Sequence, residues 1–129
     1  MDWKRKPSRS RLRELYHGYT LVMQDPGFSR VFWFALFCMC AAQCMQLPNA
    51  QVIRVASVMA MAMEAVNTCI ERVCDRITTK FDSDIRAAKH MASFACFLCT
   101  GYLITLFTWS VLTSIRFVGP LFVDTAYLI

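Results

Sequence analysis

A chain of 129 residues has room for one domain. A hydrophobic content of 57% and a mean hydropathy of +0.40 exclude an ordinary water-soluble fold. The charged residues crowd into residues 2–25 and 64–90, leaving the stretches between almost uncharged, which is the pattern of an all-α integral membrane protein. The net charge of +5 comes mostly from the arm holding Lys4, Arg5, Lys6, Arg9, Arg11 and Arg13. That arm leads directly into apolar sequence, so it reads as attraction to anionic headgroups and cytoplasmic retention, not as nucleic-acid binding.

In chain order, residues 8–24 read as an amphipathic surface helix. Leu12, Leu15, Tyr16, Tyr19 and Met23 recur at three- and four-residue steps, with Arg9, Arg13 and Glu14 on the other side. Asp25-Pro26-Gly27 reads as a turn that breaks it. Residues 31–47 form the first predicted span, about 25 Å long, with Trp33 as an interface anchor. Leu47-Pro48-Asn49-Ala50 is an uncharged turn. The second span, residues 52–74, carries Arg54 near its outer end, close enough to snorkel.

Residues 80–84 make a polar loop, residues 85–90 start the third helix, and residues 91–115 are its apolar span. Arg116 and Gly119-Pro120 are expected to end it, leaving a tail of residues 117–129. The basic region ahead of the first apolar run is too long for a cleavable signal peptide, and no small-residue cleavage site follows that run. The N-terminal arm and the loop with Arg72, Arg76, Lys80, Arg86 and Lys89 should share the cytoplasmic side. The tail then faces outward. Cys38, Cys40, Cys44, Cys96 and Cys99 fall within spans and read as small apolar residues. Cys96-x-x-Cys99 has no His or Cys partners to complete a zinc site.

The second span is unusual for its polar stripe. Glu64, Asn67, Glu71 and Asp75 stand at i, i+3, i+7 and i+11, within an arc of roughly 80° on one helix face. A carboxylate so near hydrocarbon is costly unless paired, wetted or protonated, so polar groups there point to function. Glu71 and Asp75 also have a plainer reading, as interfacial salt-bridge partners for Arg72, Arg76 or Lys89. Asn67 could bond across helices in an oligomer. The chemistry that suits the stripe is phosphoryl transfer at a membrane surface, which asks mainly for positioning and charge neutralisation. Mg²⁺ takes one or two carboxylates plus nucleotide phosphates and water, and a second, desolvated carboxylate can take the proton of an attacking hydroxyl. Glu64 lies deeper, at the level of a lipid hydroxyl, and Glu71 about two turns nearer the nucleotide. With four glycines and no Gly-rich phosphate loop, side chains such as Lys89 must hold the phosphates.

The run Glu64-x-x-Asn67-Thr68-x-Ile70-Glu71-x-x-x-Asp75, followed by Ala88-Lys89-His90-Met91-Ala92-Ser93, resembles the signature of the prokaryotic diacylglycerol kinase family, which includes undecaprenol kinases. The resemblance implies a homotrimer in the cell (inner) membrane, with three transmembrane helices and one surface helix per chain and active sites between subunits. It implies Glu64 as general base, Asn67 as a substrate-positioning residue and Lys89 as a ligand of the ATP phosphates. Glu71, with Asp25 from the end of the surface helix, would hold Mg²⁺ and so contact ATP. The family carries glutamate at the Asp25 position and an acidic residue at the His90 position. As imidazolium, His90 would offer a donor to ATP phosphates. The expected reaction is ATP-dependent phosphorylation of diacylglycerol to phosphatidate. The alternatives are an undecaprenol kinase and a catalytically silent relative acting as a small oligomeric membrane protein.

Overall fold

The computed structural model describes the backbone of residues 10–78 and 82–126, and the side chains of residues 12–78 and 82–115. Lys4, Arg5, Lys6 and Arg9 of the arm and Lys80 of the loop lie outside the described residues, as do the side chains of Arg11, Arg116 and the tail. The described backbone is all helical: α1 (Ser10–Met23), α2 (Pro26–Cys44), α3 (Ala50–Ile77) and α4 (Ser83–Ala126). Three helices are long and apolar enough to cross a membrane, namely α2, α3 and α4 as far as Ile115. At ~1.5 Å per residue the 28 residues of α3 reach about 42 Å, so this helix overhangs a ~30 Å hydrocarbon core by two turns or more.

Three boundaries differ from expectation. The first span begins at Pro26, not residue 31, because Asp25-Pro26-Gly27 is a helix start. Asp25 Oδ1 accepts from the N–H groups of Gly27 at 2.9 Å and Phe28 at 3.1 Å, and Pro26 occupies a first-turn position, where its missing N–H costs nothing. Asp82 opens α4 in the same way, accepting from Asp84 and Ile85 at 2.9 and 3.1 Å. The third helix does not end at Arg116 or Gly119-Pro120 but continues to Ala126. Proline there removes one backbone donor, a loss that a helix with many other intact bonds absorbs.

The α2–α3 turn closes the far end of the bundle. Leu47 N–H donates to Ala42 O at 3.0 Å and Gln46 N–H to Gln43 O at 3.2 Å, a Schellman pattern that puts Gln46 in the left-handed region at φ 49°. The pattern folds Leu47 back into the core beside Ala42.

Helix α3 is central: it packs along both α2 and α4, which scarcely touch each other. Small residues permit the close approach, with Ala35, Cys38 and Ala42 of α2 and Ala56 and Ala60 of α3 buried alongside Ile53 and Leu103. Buried residues make up only 17% to 33% of the three spans, so most of their apolar surface faces outward from the single chain. The fold therefore puts the polar stripe on the helix with neighbours on two sides.

Candidate functional site

The site lies at the charged end of the bundle, where α2 and α4 start and α3 overhangs. Asn67 is buried beside half-buried Glu64 and Glu71. Its amide Nδ2 donates to Glu71 Oε1 at 3.2 Å, one helical turn on. That bond orients the amide and leaves Asn67 Oδ1 buried without a partner among the described residues. A buried acceptor in want of a donor is a place for a hydroxyl or amine from outside the chain.

Glu64 reaches the first turn of α2. A Cβ built on Gly27 would stand 3.0 Å from Glu64 Oε1 and 3.0 Å from Asp25 Oδ1, so the two oxygens are no more than twice that distance apart. Glycine at 27 lets the Glu64-bearing face of α3 approach the start of α2. The positive end of the α2 dipole favours negative charge there, offsetting part of the repulsion between the carboxylates. From α4, the Cys96 thiol lies within interaction range of Glu64 as well. The structure thus brings Asp25 to Glu64, while none of the described hydrogen bonds joins Asp25 to Glu71.

On α4, the Lys89 ammonium pairs with Asp75, which settles Asp75 into the plainer of its two readings. The same ammonium is within electrostatic range of Glu71. The pair is substantially exposed, so a phosphate can take the ammonium over at small cost. His90 Nε2 accepts from Arg86 Nε at 3.3 Å, one helical turn back on α4.

Sequence reasoning missed three participants. Gly27 was read only as a breaker, and Cys96 only as an apolar filler. Arg72, whose guanidinium Nη2 donates to the Leu21 carbonyl at 2.8 Å, was read as a cytoplasmic-side charge and a candidate carboxylate partner, not as a link to α1. The signal for Arg72 was its place directly after Glu71, on the overhanging part of α3.

Among the described residues, no three His, Cys, Asp or Glu side chains converge on a point that could hold a metal ion. The donor set nonetheless suits Mg²⁺ brought by a nucleotide. Glu71 is a hard oxygen donor whose Oε1 accepts from Asn67, and such a site is completed by phosphate oxygens and water.

Compared with known proteins, residues 17–112 match a family model described as prokaryotic diacylglycerol kinase. The matched stretch contains Asp25, Glu64, Asn67, Glu71, Lys89 and His90. Neither curated proteins nor solved structures give a match.

Proposed function

The chain belongs to the prokaryotic diacylglycerol kinase family, and we propose that it transfers the terminal phosphoryl group of ATP to a membrane lipid alcohol, diacylglycerol in the first place. The observation that carries this reading is the buried Asn67, whose amide donates to Glu71 and whose Oδ1, one turn from Glu64, is left without a partner among the described residues. A lipid hydroxyl donating to Asn67 Oδ1 would stand between the base and the nucleotide.

Glu64 takes the hydroxyl proton as the lipid oxygen attacks the terminal phosphorus. The bond to the bridging oxygen breaks, ADP leaves, and the proton passes from Glu64 to solvent. Lys89 exchanges Asp75 for a phosphate oxygen. Glu71, and Asp25 with it, would hold Mg²⁺, whose chemistry at this site is neutralisation of charge on the phosphates. In this reading the chain works as a homotrimer, as the family resemblance implies. The basic arm and the charged end of the bundle face the cytoplasm from the cell (inner) membrane, with α1 lying at its surface.

The test is purified protein in mixed micelles with labelled ATP, given diacylglycerol and a polyprenol separately. Phosphatidate formation supports the proposal. Turnover of the polyprenol alone makes the chain an undecaprenol kinase, and no turnover of either makes it a silent relative. In an active preparation, Glu64→Gln should stay folded and lose a factor of ~10²–10⁴ in turnover. A near-normal rate would remove Glu64 from the mechanism and leave the kinase assignment standing.

A further inference from the structure

We propose that Arg72 is a positioning residue that clamps the junction of α1 and α2 onto α3, and so sets where Asp25 stands relative to Glu64 and Glu71. The proposal rests on the kinase reading for its consequence in catalysis, but not for the clamp itself. The last turn of α1 contains no basic residue to satisfy its carbonyls. The helical partner of the Leu21 carbonyl would be the Asp25 N–H, but that N–H turns to Val22 O at 3.0 Å. The Leu21 carbonyl is taken up instead by Arg72 Nη2 at 2.8 Å, from 51 positions along the chain.

Four residues after Leu21 comes Asp25, whose side chain caps α2 and lies near Glu64. One residue before Arg72 comes Glu71. The hydrogen bond thus spans the gap between the two carboxylates proposed to share a cation, at a point adjacent to both. Packing does little of this work, since α1 has few contacts with the bundle and most of those are to α2. A single charge-assisted bond from the end of the catalytic helix is well placed to hold α1 in register.

The experiment combines amide-resolved hydrogen exchange with steady-state kinetics on the full chain in bilayer discs, comparing wild type, Arg72→Gln and Arg72→Lys. Arg72→Gln should speed exchange several-fold in α1 and at the capping amides of Gly27 and Phe28. It should raise the Mg²⁺ needed for half-maximal rate about fivefold, the equivalent of one net hydrogen bond, with kcat at saturating Mg²⁺ little changed. Arg72→Lys supplies one donor at similar reach and should restore both readouts. Wild-type exchange in Arg72→Gln overturns the clamp. Faster exchange with an unchanged Mg²⁺ requirement in an active enzyme overturns the positioning role. If wild type has no turnover at all, the kinase reading fails while exchange still decides the clamp.

Discussion

At the scale of single residues, Asp25 has one observed use and one proposed use, which different substitutions separate. As the cap of α2 it needs an oxygen acceptor, and asparagine serves about as well as aspartate. As a cation ligand it needs the charge. Asp25→Asn is therefore expected to leave the thermal midpoint unchanged while raising the Mg²⁺ requirement severalfold. Asp25→Ala should show the same Mg²⁺ effect and in addition lose about 1 kcal/mol of stability. A normal Mg²⁺ requirement in Asp25→Asn would leave Asp25 as a cap alone. Glutamate, the family's residue at this position, is a poor cap, so here the shorter side chain goes with a helix that starts immediately after it.

Gln46 offers a second test at this scale. It holds the left-handed position of the Schellman turn, where a Cβ costs roughly 1–2 kcal/mol and glycine costs nothing sterically. Gln46→Gly should raise stability by about 1 kcal/mol, read as a higher thermal midpoint in detergent, and leave turnover unchanged. A lower midpoint would mean that the Gln46 side chain contributes contacts worth more than the strain.

The element that departs most from the family pattern is the start of α4, where Arg86, Lys89 and His90 share the first two turns. His90 accepts from Arg86, a contact that uses a lone pair at this position. His90→Ala should raise the KM for ATP about threefold with a smaller loss in kcat, and His90→Gln, which keeps a neutral acceptor, should recover most of it. The measurement is KM and kcat for wild type and these variants. If His90→Ala matches wild type, His90 is a bystander. If wild type is inert and His90→Asp alone turns over, the chain is a silent relative.

For the molecule as a whole, the arrangement leaves work for a second chain. Most of the span surface is uncovered, and among the described residues the hydroxyl oxygens of Ser57 and Ser110 are buried without partners. If the site is completed between subunits, mixing inactive Asp25→Ala and Glu71→Ala proteins under subunit exchange should restore part of the activity. Some interfaces would then pair an intact Asp25 with an intact Glu71. Mixtures no more active than either parent would place both ligands in one chain.

What the sequence determined by itself is whatever follows from periodicity and apolar length. The three spans, a helix ahead of Asp25 and the common face of Glu64, Asn67, Glu71 and Asp75 were legible, because helix geometry converts spacing into position without reference to any other segment. The helix starts were misread because Asp-Pro-Gly is equally a turn and a cap followed by a first-turn proline. Only the path of the backbone around Asp25 distinguishes them. Partner choice was beyond the sequence altogether. That Asp25 reaches Glu64, that Lys89 takes Asp75 from among several carboxylates, and that Arg72 holds the end of α1 depend on how α2 and α4 pack against α3. Such pairings join residues up to 51 positions apart, and no local pattern specifies them. Packing of small residues along α3 decides which polar ends meet, and the tertiary structure alone records the outcome.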